Sequence, residues 1–425
     1  MEKTDKKQDE DYVSRTEAIA LLGVKADTLY SYVSRGLIRR LRHPNNRHSL
    51  YFKEDIEKIR ARSDARRSEG VVAAGAIRYG GEPVIATSIT EITPAGQLYR
   101  GRSAIELAEQ AASFEAVAEL LWSGIFIDDS TVWKLDPPQQ KFQALAASMG
   151  KLRAGANIHE LLSILTLGLG MSRGSLSERV NQGITATLEG RQLIQALTGC
   201  FAFLSGKQAY RPFKEGESVA KAMARSLGIA SSPQTLRVLN AALVLSADHE
   251  LSPATFSARI AASSEADMHS CIAAAICTHS GTRIARACDQ LEDVFSKMAT
   301  KASLVKKVLP SEKTSRAIPG FNHPIYPKGD PRANCLLRII KENIPLTKRL
   351  ENIYDFLDVA ARQYQIYPRI EMAIVVMAAA LGLPPKSAAG MYTFGRTAGW
   401  VAHVIEQRLT GYLIRPRAKF IGTGR

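Results

Sequence analysis

The sequence predicts an almost wholly helical protein that carries a small, basic helix-turn-helix module with a wing at its front. Three observations predict it. From residue 77 onward Ala, Leu and Ile recur at steps of three and four, as in Ala104-Ile-Glu-Leu-Ala-Glu-Gln110 and Ala116-Val-Ala-Glu-Leu-Leu-Trp122. That spacing lines one face of a helix. Within that span only Glu82–Leu98 is convincingly β-prone. Ahead of it, residues 15–67 hold 13 basic against six acidic side chains, so nearly half of the net charge of +15 sits in an eighth of the 425 residues.

The elements follow in order. Residues 1–12, MEKTDKKQDEDY, are charged and lack an apolar core, which suits a disordered tail and not a secretory leader. Ser14 is placed to cap a helix bearing Ala18, Ile19, Leu21 and Leu22. Gly23 supplies the turn, since glycine tolerates positive φ. A second helix over Thr28–Arg35 stops at Gly36. Leu37–Arg47, with the turn signal Pro44-Asn45-Asn46, and the strand-like Ser49–Phe52 make a basic hairpin. Lys53–Arg62 is a last helix, and residues 63–76 read as a linker. This order, over residues 13–62, resembles the winged helix-turn-helix of MerR-type and excisionase-like DNA-binding domains. The resemblance implies a second helix in the major groove and a wing along the phosphates. Thr28, Tyr30, Ser31 and Ser34 would then meet base edges, and Arg35, Arg39, Arg40, Arg42 and Arg47 would meet phosphates. One short recognition helix per chain would require a dimer for useful affinity. The alternative is a docking or oligomerisation module whose charge is a solvated face.

Composition bounds the rest. Five cysteines, Cys200, Cys271, Cys277, Cys288 and Cys335, show no paired short spacing, which argues against a disulfide framework or a zinc site and suits a reducing cytoplasm. The longest apolar stretch, Met372 to Pro384, is too short to span a bilayer. A soluble, cytoplasmic protein without a membrane partner is expected. The basic balance suits nucleic acid or anionic ligands.

Five segments carry a second resemblance. They are Tyr99-Arg-Gly101 with Ser113–Trp122, Ala247-Asp-His-Glu-Leu251, Ile318–Tyr326 with Gly329-Asp-Pro-Arg332, Gly395-Arg-Thr-Ala-Gly-Trp400 with His403, and Ile414-Arg-Pro-Arg417. In order and content they resemble citrate synthase. The resemblance implies an all-α homodimer of interlocked protomers, with a large domain of residues 77–285 and 375–425, a small domain of residues 286–374, and an active site in the cleft between them. No tightly bound cofactor is implied; acetyl-CoA would be a substrate.

Oxaloacetate is a small dianion, and guanidinium forks match carboxylates. Carried over by motif, Arg332, Arg396 and Arg415 would hold its carboxylates, with Arg415 reaching in from the other subunit. His249 and His323 would bind it too, and His323 would polarise the ketone. The acyl-CoA half departs from the family. Deprotonating a thioester methyl needs a carboxylate base and a donor for the developing oxyanion. The base position holds Glu371, one methylene longer than the family's Asp. The donor histidine of the family's Gly-Pro-Leu-His-Gly turn falls on Ile284, in Gly281-Thr-Arg-Ile-Ala285, flanked by Arg283 and Arg286. His279 lies five residues upstream, a step that points to another helix face. Pro324 and Pro327 replace expected basic phosphate contacts, with Lys328 beside them. A misplaced base costs ~10²-fold and a lost oxyanion donor ~10²–10³-fold. Since such losses need not multiply, ~10³-fold or more is expected overall.

Three functions are open on these residues. One is an atypical citrate synthase with weak or lost activity, a pseudoenzyme in the limit. Another is a metabolite-responsive DNA-binding regulator built on a dicarboxylate site. The third is a partner subunit that lends Arg415 to a complete paralogue in a heteromer.

Overall fold

The computed structural model describes residues 12–34, 37–42, 49–53, 55–57, 59–60, 85–127, 133–138, 140–150, 157–172, 185–205, 209–297, 300–308 and 320–415. The chain divides into two compact units. The first takes residues 1–88, 93–96 and 286–382; the second takes 89–92, 97–285 and 383–425.

The front module begins with β1 (Tyr12–Ser14), α1 (Arg15–Leu22) and α2 (Ala26–Ser34), followed by β2 (Arg40–Arg42) and β3 (Ser49–Phe52). Ser14 builds a reciprocal capping box. Its Oγ accepts the Glu17 N–H at 3.3 Å, and the Glu17 carboxylate accepts the Ser14 N–H at 3.0 Å. Gly23 ends α1 at φ 63° and donates its N–H to the Ile19 carbonyl. The strands pair antiparallel in the order β1-β3-β2. Val13, Ala18, Leu29, Ile38, Tyr51 and Ile56 form the buried core.

Two expectations shift here. Tyr12 is not the end of a disordered tail: it opposes Phe52 across the sheet, the rings 4.9 Å apart and edge-on. Such cross-strand aromatic pairs stabilise a short strand. The second helix starts at Ala26, two residues before the expected Thr28. The hairpin tip and the expected linker at 63–76 lie outside the described residues.

A three-stranded sheet follows, in the order β4 (Thr90–Thr93), β5 (Gly96–Tyr99) and β6 (Arg102–Ser103). It falls on the one β-prone stretch and extends just past it. The helices of the second unit come next: α3 (Ala104–Glu109), α4 (Phe114–Ser123), α5 (Gln140–Met149), α6 (Ile158–Ser172), α7 (Ala186–Thr198), α8 (Val219–Leu227), α9 (Pro233–Ser246), α10 (Pro253–Ser263) and α11 (Met268–His279). The first unit resumes with α12 (Ala287–Lys297), α13 (Lys301–Val308), α14 (Pro331–Asn343), α15 (Lys348–Tyr364) and α16 (Ile370–Ala380). The second unit closes with α17 (Ser387–Thr410). The expected return at residue 375 falls in the middle of α16, which is unbroken; the crossing comes after Gly382.

Helix α17 is the axis of the second unit, with every residue from Ser387 to Val404 buried. A helix apolar all round belongs in a core. Its close approach to the end of α9 depends on glycine. A Cβ on Gly395 would stand 2.8 Å from Ser246 Cβ, and one on Gly399 would overlap the Asp248 carboxylate and lie 2.6 Å from the Ala247 carbonyl. Across that gap the Gly399 N–H donates to the Ala247 carbonyl at 2.9 Å. Strand β5 is tied to the same place: the Tyr99 hydroxyl donates to the Val244 carbonyl, and the Gln97 amide donates to that of Leu245, both at 3.0 Å. Among the described residues no helix is long and apolar enough to cross a membrane.

Candidate functional site

The candidate residues of the first unit gather around one short strand pairing. Phe321 bridges Pro368 antiparallel. The Asn322 N–H donates to the Tyr367 carbonyl, the Tyr367 N–H donates back to the Asn322 side chain, and the Arg369 N–H donates to the Gly320 carbonyl, each at 2.8 Å. This sets His323, leaving one strand, next to the segment that enters α16 with Glu371. Neutral His323 carries its proton on Nε2, because its Nδ1 accepts the Ile325 N–H at 3.1 Å. Its ring centroid is 5.0 Å from that of Tyr326, whose ring in turn lies 5.9 Å from the Arg332 guanidinium carbon.

Arg332 is almost fully buried and forked onto Asp330, with Nε and Nη2 at 2.9 and 2.8 Å from its two oxygens. Asp330 also caps α14 through the Arg332 N–H and accepts the Ile370 N–H at the start of α16, both at 3.1 Å. One carboxylate thus pins two helix starts and one arginine. Glu371 is 1% exposed. Its Oε1 takes an ion pair from Arg369 Nη2 at 2.9 Å, while its buried Oε2 has no partner among the described residues. Arg369 was not singled out by sequence; its only signal was a cation two residues before the base position. Pro327 and Lys328 are exposed and Pro324 is half-buried.

The candidate residues of the second unit lie where α17 meets the turn after α9. Arg396, 1% exposed, donates Nη2 to Ser252 Oγ at 2.9 Å and to Thr255 Oγ1 at 3.3 Å. Its Nε and Nη1 are buried without a partner among the described residues. Ser252 caps α10, and half-buried His249 lies three residues before it in the same turn. Behind them runs a buried chain that sequence reasoning missed. Arg259 donates to Glu406 at 2.7 Å and to His403 Nδ1 at 3.2 Å. A guanidinium only donates, so the neutral His403 ring holds its proton on Nε2 and gives it to Asp248, 3.3 Å away. Burial works to raise the Asp248 carboxyl, but His403 and then Arg396 outweigh it and hold it at about 2.

Ile284 sits half-buried in the turn after α11, its N–H donated to the Gly281 carbonyl at 3.0 Å. Flanking Arg283 and Arg286 are exposed. His279 does not take its place. It ends α11 inside the core, hydrogen-bonded through Nδ1 to Thr393 at 2.9 Å and packed edge-on against Tyr392 and Trp400. Burial, then Arg396 and His159, push its imidazole well below the usual range, so it stays neutral. Arg415 is exposed near the end of the described chain.

The sequence model of a protein family, "Citrate synthase, C-terminal domain", matches this chain from residue 78 to residue 417. The chain belongs to the citrate synthase family. "Citrate synthase 2" of Bacillus subtilis is 27% identical over 358 residues, which are 81% of this chain and 95% of that one. "2-Methylcitrate synthase" of Shewanella oneidensis is 26% identical over 377 residues, 85% and 96% of the two chains. The fold is also that of solved citrate synthases. The enzyme from Thermotoga maritima superposes with a TM-score of 0.62 at 23% identity, over 81% of this chain and 94% of that one. The Thermoplasma acidophilum citrate synthase, in ternary complex with carboxymethyl coenzyme A and oxaloacetate, gives 0.67 at 19% identity, over 81% and 95%.

The citrate synthase match begins at residue 78, after the whole front module. In that module Tyr30 is exposed, with the Arg15 guanidinium 5.1 Å from its ring centroid. Ser34 is exposed, and Thr28, Ser31 and Arg40 are half-buried. Arg42 lies on β2, while Arg35 and Arg47 lie outside the described residues. Arg39, expected on phosphates, is instead 8% exposed and forked onto Asp55.

Proposed function

We propose that this citrate synthase family protein binds oxaloacetate-like dicarboxylates and condenses them with acetyl-CoA weakly or not at all. The observation that carries the first half is Arg396. Burying a cation with two unmet N–H donors costs several kcal/mol unless an anion meets them. Ser252 and Thr255 hold its third nitrogen and leave the other two for a carboxylate. His323, with its proton on Nε2, suits donation to a carbonyl oxygen. Carried over by motif, His249, Arg332 and Arg415 complete the set.

The second half rests on three side chains. Ile284 offers no donor. Glu371 is longer than the family's Asp, and one of its oxygens is engaged by Arg369. The test is thiol release from acetyl-CoA by the purified chain with oxaloacetate. We expect a rate ~10³-fold or more below ordinary members of the family. Isothermal titration should show oxaloacetate binding that Arg396→Leu abolishes. A rate within tenfold of those enzymes would overturn the loss of activity. Ile284→His with Glu371→Asp should raise the rate.

A second reading, a metabolite-responsive DNA-binding regulator, is favoured by the capped α1–Gly23–α2 arrangement with Tyr30 and Ser34 exposed on α2. The role of partner subunit to a complete paralogue draws on Arg415 alone.

A further inference from the structure

We propose that Arg39 of the front module is a positioning residue for His323. Four of its hydrogen bonds run in two directions. The backbone N–H, Nε and Nη2 go to Asp55 at 2.8, 2.8 and 2.9 Å. Nη1 goes to the backbone carbonyl of Asn322. The guanidinium carbon also lies 4.1 Å from the Phe52 ring centroid. The side chain is therefore fixed by its own module and presents one N–H outward as a rigid donor.

The acceptor matters because of where it is. The Asn322 carbonyl belongs to the peptide group whose nitrogen is that of His323. Peptide groups are planar, so a donor on that oxygen sets the plane from which the His323 side chain departs. Asn322 stands at φ 52°, a left-handed conformation that costs energy for most side chains. Its amide and its side chain are both bonded to Tyr367, which leaves the carbonyl as the remaining backbone handle on the turn. Arg39 takes that handle. The front module thereby acts as a clasp on the loop of His323, and anything that loosens one loosens the other.

The ligand arm of the test rests on the dicarboxylate reading; the exchange arm does not. In the full chain without ligand, Arg39→Gln should raise hydrogen exchange at the Asn322 and Tyr367 amides at least tenfold over wild type. Lys25→Gln, which removes a charge from an exposed turn of the same module, should leave both amides unchanged. If Arg39→Gln speeds exchange only within the front module, the clasp is wrong and Arg39 is merely structural. With oxaloacetate as probe, the dissociation constant should rise about tenfold for Arg39→Gln and less for Arg39→Lys, which keeps a donor but loses the fork. Equal constants in all three proteins would overturn the coupling. By linkage, oxaloacetate should also slow exchange at the Arg39 amide. Should wild type bind no oxaloacetate, the dicarboxylate reading fails, and the exchange arm alone decides the clasp.

Discussion

At the scale of single residues, the second unit buries charged groups whose partners come from far along the chain. Asp248 and His403 are 155 positions apart and both fully buried. The Asp248 carboxyl sits at about 2, below its ordinary 3.8. A depressed folded-state value means stability that is complete above about pH 4 and is lost as the pH falls through 2. That difference corresponds to about 2 kcal/mol. Urea unfolding between pH 2 and 5 should therefore show a steeper acid loss for wild type than for Asp248→Asn. Parallel curves would mean that Asp248 is not held ionised by its neighbours. None of this pairing was legible in sequence, where His403 stood only as part of a motif and Arg259 stood in no motif at all. A residue's type can be read from its letter, but its partner depends on a fold that brings α10 and α17 together.

At the scale of elements, local chemistry was the readable part. Ser14 and Gly23 bound α1 as their cap and turn chemistry requires, and the β-prone stretch holds most of β4 to β6. What escaped was set by neighbours. Tyr12 became a strand because Phe52 was there to meet it, and α16 ran through the expected boundary at 375 because nothing in Met372–Ala380 breaks a helix. Glycines in α17 show the same limit. By propensity Gly395 and Gly399 weaken a helix, yet the space beside each is too small for a methyl group. Gly399→Ala should thus destabilise by about 1–3 kcal/mol, although alanine is the better helix former. An unchanged midpoint in urea would show that α9 and α17 can separate at no cost. Since Asp248 stands against Gly399, the same substitution should weaken oxaloacetate binding through Arg396, one turn away.

At the scale of the whole molecule, the front module and residues 286–382 form one unit, not a tethered appendage. If the module reads DNA, binding should respond to oxaloacetate, because the same unit carries His323. Removing the charge at Arg40 or Arg42 should lower the salt slope of DNA binding by about one each. Arg39→Gln should leave that slope unchanged, since its guanidinium faces Asp55 and Asn322. DNA affinity that is indifferent to salt would leave the module as a docking element. The candidate residues could be named from sequence because their motifs are contiguous runs, and Arg369 stands only two residues before Glu371; the contact of Arg39 with Asn322, 283 positions away, could not, because only the fold brings the two near.

Asp330 gives this last point a historical edge. It caps α14, holds the first turn of α16 and grips Arg332, so a lineage that stopped making citrate would still be unable to discard it. Asp330-Pro331-Arg332 therefore answers a demand of folding whatever its part in turnover. Ile284, by contrast, is tied into its turn by its backbone N–H on the Gly281 carbonyl, and its side chain holds no such set of polar contacts.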